Sequence, residues 1–199
     1  MSITQGDLGS ICVYCGSSSA ADPAWLAAAA RLGEIIANAG LRLVYGGGGV
    51  GLMGACARAA HEAGGAVLGV MPRFLIGAER PVTGVETVVV TSMHERKIRM
   101  FDEADAFVVL PGAIGTLEEA VELLSWRRLG LHAKPIIFYN PEGFWDHLFE
   151  LFDSFVDHHL VPKSFAQCWS TVESVDEILP AIRAAPRDVH VPHHVAARS

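Results

Sequence analysis

The sequence is short of lysine. Only Lys97, Lys134 and Lys163 of its 15 basic residues are lysines, and 22 acidic residues leave a formal net charge of −7. Non-specific binding to nucleic acid or to an anionic membrane needs a basic face, so neither partner is expected. No apolar stretch approaches the ~18 residues of a membrane helix. The first ten residues, MSITQGDLGS, lack the basic start and apolar run of a signal peptide, so a soluble cytoplasmic protein is expected. No glycine loop is followed by G-K-[ST], which excludes a P-loop NTPase. Cys12 and Cys15 make the single C-x-x-C among four cysteines, and a zinc site built on such pairs needs a second one. ICVYC reads as a strand, where an offset of three puts side chains on opposite faces. Both thiols therefore read as buried rather than redox-active. His190, His193 and His194 cluster near the end without partners or a rigid backbone, so no metal is expected.

What is present is a regular alternation. With 51% hydrophobic and 19% charged residues in 199, the chain is globular and long enough for one substantial core. Strands are expected at 11–15, 41–45, 66–71, 86–90, 106–110 and 135–139. Helices fall between and after them. Asp22-Pro23 supplies an N-cap and a helix-compatible first residue, and Thr91 or Ser92 can cap the helix that runs to about 103. The alternation implies an α/β fold: a Rossmann-like, doubly wound parallel sheet in three layers, as one domain over 1–185 with a frayed tail at 186–199. Ligands in such folds bind beyond the carboxyl ends of the strands. Five loops are expected to open on that edge: 15–19, 46–54, the loop after Met71, 91–97 and 111–116.

Two of these loops are glycine-rich. GVGLMG (Gly49, Gly51, Gly54) satisfies the dinucleotide fingerprint, but it follows the second strand, and the acidic residue expected ~20 positions on is missing. A dinucleotide site, a mononucleotide or sugar-phosphate site, and a purely structural tight turn all stay open for it. In LPGAIGTLEEA the glycines Gly112 and Gly115 precede a helix expected to start at Thr116, which aims backbone N–H groups at an anion. Glu118 and Glu119 follow at once, where they should repel one. T-x-x-E is also a capping box, so Glu119 reads equally as a helix start. In TSMHERK, Arg96 and Lys97 sit in the first turns of a helix, against the macrodipole. That placement points to a cleft where a basic pair faces a carboxylate pair.

CVYCGSSS, LVYGGGGVGLMGA, SMHERK, LPGAIGTLEEA and SWRRLGLHAKP together resemble the Lonely guy family of cytokinin riboside 5′-monophosphate phosphoribohydrolases, in order from about residue 10 to 160. The resemblance implies a dimeric enzyme that needs no cofactor. It hydrolyses the N-glycosidic bond of adenine-type nucleoside 5′-monophosphates to free base and ribose 5-phosphate. It also implies a catalytic pair, Arg96 and Glu119, and substrate contacts at Lys97, Gly112, Ala113, Ile114, Gly115, Thr116 and Glu118. Ser125 stands where many members have threonine. Glu79 fits the family's upstream acidic residue if this loop is one residue shorter. Ala113 departs from the family's second glycine, which carries a steric cost if φ is positive there. Members are often labelled lysine decarboxylases, a reaction for which only three lysines are on offer. The alternative is a non-catalytic nucleotide- or cofactor-binding module of the same superfamily, of the kind that the molybdenum cofactor carriers represent.

Overall fold

The computed structural model describes residues 8–186; the histidine cluster and all but the first residue of the expected tail lie outside them. Seven strands form one sheet: β1 (Ser10–Tyr14), β2 (Arg42–Tyr45), β3 (Val67–Pro72), β4 (Glu86–Val90), β5 (Ala106–Val109), β6 (Ile136–Tyr139) and β7 (Ser170–Val172). Their order is β4-β3-β2-β1-β5-β6-β7, and every pairing is parallel. Six strands stand where the hydrophobic runs put them. β7 has no such run; three residues at the sheet edge are held by β6, and sequence pattern carries no trace of that pairing.

Helices α1 (Pro23–Asn38), α2 (Gly51–Glu62) and α7 (Ile178–Ala184) cover one face. On the other lie α4 (Met93–Asp102), α5 (Ile114–Arg128) and α6 (Asp146–Asp157). A short α3 (Ile76–Glu79) follows β3 through a 3-10 turn at Arg73–Leu75. β1 is buried on both sides and divides its side chains between the layers: Ile11, Val13 and Cys15 pack under α1 and α2, Cys12 and Tyr14 under α4 and α5. Period-two alternation thus separates the C-x-x-C thiols by the thickness of the sheet. All four cysteines are buried and free.

The chain winds from β1 outward to β4, then returns to place β5 on the other side of β1. The loops after β1 and β5 therefore diverge at a topological switch point, where a crevice opens. They are tied at its floor, Gly16 N donating to Pro111 O at 3.0 Å. Local capping sets the helices that flank it. Asp22 Oδ1 accepts from Ala24 N at 2.8 Å, with Pro23 as the first residue of α1, and Ser92 Oγ accepts from Glu95 N at 3.1 Å at the start of α4.

Candidate active site

A cleft of about 470 Å³ lies along the carboxyl edge of the sheet, and all five loops expected there contribute to its lining. Arg96 is the one cation among its lining residues. The Glu95 carboxylate accepts from Thr91 N and Oγ1, both at 2.7 Å, so the first turn of α4 is held from two sides and Arg96 is turned inward. Its Nε donates to Val70 O at 3.2 Å and its Nη2 to Gly46 O at 3.1 Å, while Nη1 lies 3.5 Å from Glu119 Oε1. Gly46 has to be glycine, because a Cβ there would fall inside the guanidinium. Two carbonyls at strand ends and one carboxylate thus offset the unfavourable helix position.

The helix carrying Glu119 does not begin at Thr116. It begins at Ile114, with Ala113 as N-cap and no side chain capping it. The capping box expected at Thr116 and Glu119 is not formed: Thr116 is the third helical residue, its hydroxyl packed over Gly112, and Glu119 is the sixth. Glu119 lies well beyond the reach of the cap and is 9% exposed, beside a 7% exposed Arg96. Burial drives its carboxyl up to about 7; Arg96 opposes that rise, and Glu118 adds to it. A carboxyl poised near neutrality in a cleft is suited to proton transfer.

Ala113 has φ −95° and ψ −154°, so the departure from glycine costs nothing in backbone strain. Ala113, Gly115 and Thr116 line the cleft at the start of this helix. Gly115 has nothing within 4 Å of where a Cβ would stand, so no protein packing requires glycine there. We expect Gly115→Ala to stabilise the protein by about 0.5–1 kcal/mol through helix propensity while raising KM at least tenfold. Thermal denaturation beside steady-state kinetics reads both; a stabilised variant with unchanged KM would rule out a ligand at these amides.

The other glycine loop is spent on packing. Leu52 N at the start of α2 donates to Gly16 O at 3.0 Å, and Gly49 N donates to Glu79 O at 2.8 Å. Gly51, at φ +58°, backs directly onto Ser17 and Ser18. Of the readings left open for GVGLMG, the tight-turn reading fits these bonds.

The remaining expected contacts divide. Gly112, Ala113, Gly115, Thr116, Glu118 and Glu79 line the cleft; Ile114, Lys97 and Ser125 do not. The resemblance implied a substrate contact at Lys97. Its ammonium lies between Glu118 and Glu122 of α5, 2.9 Å from the latter. Ser125 is exposed on the outer side of α5. Glu79 reaches the cleft, and its Oε2 is buried with no hydrogen-bond partner. Sequence reading missed Trp25 and Phe144, which meet edge to face with centroids 4.9 Å apart, and the methionines Met53, Met93 and Met100. The 3.6-residue period alone assigns such residues to the core, so no local signal marked them.

Comparison with known proteins decides the family. A family model described as "Possible lysine decarboxylase" matches residues 53–182. Two Arabidopsis thaliana proteins named cytokinin riboside 5′-monophosphate phosphoribohydrolase, LOG5 and LOG2, are each 38% identical to this chain. They cover 92% and 98% of it, and the alignments take in 81% and 89% of their own length. A rice relative, named as the probable enzyme LOGL9, is 44% identical over 85% of the chain and 78% of its own. The chain belongs to the Lonely guy family. Among solved structures, a molybdenum cofactor binding protein from Rippkaea orientalis matches with TM-score 0.65 at 23% identity, covering 89% of this chain and 96% of that one. A molybdenum cofactor carrier protein from Chlamydomonas reinhardtii matches with TM-score 0.67 at 21%, covering 89% and 97%. These likenesses are of fold.

The decarboxylase wording meets a physical obstacle in this Lonely guy protein. A pyridoxal phosphate enzyme needs a lysine amine in its site. Lys97 is held by two glutamates. Lys134 Nζ donates to Phe101 O at 2.7 Å and sits 4.0 Å over the Phe101 ring, and Lys163 opens a 3-10 turn elsewhere. None of the three lines the cleft.

Proposed function

We propose that this Lonely guy protein hydrolyses the N-glycosidic bond of adenine-type nucleoside 5′-monophosphates, N6-modified or AMP, to free base and ribose 5-phosphate. The observation that supports it most is Glu119, buried against Arg96 within α5 and behind that helix's uncapped N-terminus. The amides at 113–116 take the phosphate on C5′. Glu119 lies further along the same helix, at the level of the ribose. Cleavage passes through an oxocarbenium-like sugar, positive at C1′, and a carboxylate there lowers the barrier. The C1′–N bond breaks with its electron pair going to the base. A water oxygen bonds to C1′ and gives a proton to Glu119; the base takes up a proton from solvent as it leaves, and Glu119 returns its own to solvent. Arginine does not give up its proton at ordinary pH, so Arg96 orients Glu119 and stabilises charge. The apparent conflict between an anion site and adjacent carboxylates resolves because they serve opposite ends of one substrate.

The test is chromatographic detection of free base from AMP and from N6-isopentenyladenosine monophosphate. Release from either supports hydrolysis; retention of nucleotide without release assigns a binding module instead.

The working form is a homodimer in the cytoplasm. Ile114, Val121, Ser125 and Leu129 form one exposed stripe on α5, with Ile114 79% exposed. Ser125 is exposed and does not line its own chain's cleft, so a substrate contact by it calls for a second copy. Val121→Asp is expected to halve the mass seen by light scattering and to lower activity at least tenfold. A monomeric, fully active variant would remove both the dimer requirement and the role of Ser125. Four buried free thiols suit a reducing compartment.

A further inference from the structure

Of the charged side chains lining the cleft, Arg96 pairs with Glu119 and Glu118 with Lys97, which leaves Glu79. A buried carboxylate oxygen without a donor is costly, and Glu79 Oε2 is such an atom. The fold fixes it there. Glu79 closes α3, its carbonyl accepts from Gly49 N at 2.8 Å, and Arg80 turns away behind it in a left-handed conformation at φ 39°. Gly48 lacks the Cβ that would meet both Glu79 Oε2 and the Met53 methyl group.

The order of groups along the sheet edge says what part of the substrate lies there. The free amides of α5 stand over β5, with Arg96 and Glu119 beside them. Glu79 and Met53 belong to the segments that follow β3 and β2, on the far side of that pair from β6. Phosphate, ribose and base follow one another in a nucleotide in the same sequence. The reverse placement would set a phosphate against the Glu79 carboxylate and beside amides of the α2 loop that are already bonded to protein carbonyls.

We propose that Glu79 reads the base, its free oxygen accepting a hydrogen bond from the exocyclic N6–H of an adenine-type ring. This rests on the hydrolase reading above and extends it to base selection. One N–H suffices, so a single N6 substituent is tolerated, lying against Met53, whose methyl group stands with Glu79 Oε2 over Gly48. Two substituents leave no donor. A purine without the amine leaves the carboxylate oxygen unpaired, and sites built to bind a substrate N–H discriminate strongly against analogues that lack it.

The experiment pairs AMP with purine riboside 5′-monophosphate, which lacks the 6-amino group and adds no bulk, in wild type and Glu79→Met. Turnover and binding by calorimetry are both measured. Wild type is expected to prefer AMP by about 10- to 100-fold, to accept N6-isopentenyladenosine monophosphate, and to reject N6,N6-dimethyl-AMP. In Glu79→Met the preference falls to about unity through loss on AMP alone, the purine nucleotide changing less than threefold. An equal loss on both nucleotides overturns the proposal, because it assigns Glu79 to the ribose or to the loop. If neither nucleotide is turned over but the binding preference and its collapse are seen, recognition stands and the hydrolase reading fails.

Discussion

Glu119→Gln is expected to lower kcat/KM for AMP by about 10³-fold and at the same time to raise the melting temperature above pH 7. The loss follows from removing both the negative charge opposite C1′ and the group that accepts the water's proton. The gain follows from linkage. Folding raises the carboxyl from its ordinary value of 4.5 to about 7, chiefly by burial. A group shifted upward contributes stability that is full below its unfolded value and is lost as pH rises through the folded one. By pH 8 the wild type has lost about 3 kcal/mol that the neutral glutamine retains. For a chain of this size that is roughly 6–10 °C. Scanning calorimetry from pH 4 to 8 reads it: the two proteins should melt together at pH 4, diverge as pH rises from about 4.5 to about 7, and differ by a constant amount above that. A difference independent of pH would show that Glu119 is already ionised throughout. The rising limb of kcat/KM against pH in wild type should have its midpoint near 7, where the folded carboxyl ionises, since the base works ionised.

Arg96→Met is expected to cost about 3–5 kcal/mol at pH 8, the range for stranding one partner of a buried pair, and less at pH 5, where Glu119 can neutralise itself. Three acceptors lose their donor at once: Val70 O, Gly46 O and the Glu119 carboxylate. Arg96→Lys is expected to fold yet lose 10²-fold or more in kcat/KM. An ammonium on a flexible stem cannot span three acceptors that a planar fork reaches together. Because Arg96 holds Glu119 down against the effect of burial, both variants should move the rising limb of the pH profile above 7. Full activity in Arg96→Lys, with an unmoved limb, would reduce Arg96 to a structural ion pair.

The catalytic candidates were legible because their signals are local or shared by a family. Arg96 sits where a helix dipole disfavours it, and Glu119 follows a glycine loop after a strand. The start of α5 was misread for an equally physical reason. T-x-x-E satisfies the capping pattern wherever it occurs, and nothing local says that the helix already runs from Ile114. The ion pairs of Lys97 were not legible, because a sequence shows its charge but not the two glutamates that α5 lays beside it.

By itself the sequence determined the alternation of strands and helices, the edge on which the loops gather, the opposite faces of Cys12 and Cys15, and the family. Each of these depends on periodicity, capping or motif, which act over a few residues. Tertiary structure alone decided that Gly46 makes room for a guanidinium, that burial brings Glu119 near neutrality, that Glu79 keeps an unpaired oxygen in the cleft, and that β7 exists. Desolvation, close approach and sheet pairing are properties of neighbours distant in the chain, and they come into being only when the strands are laid side by side.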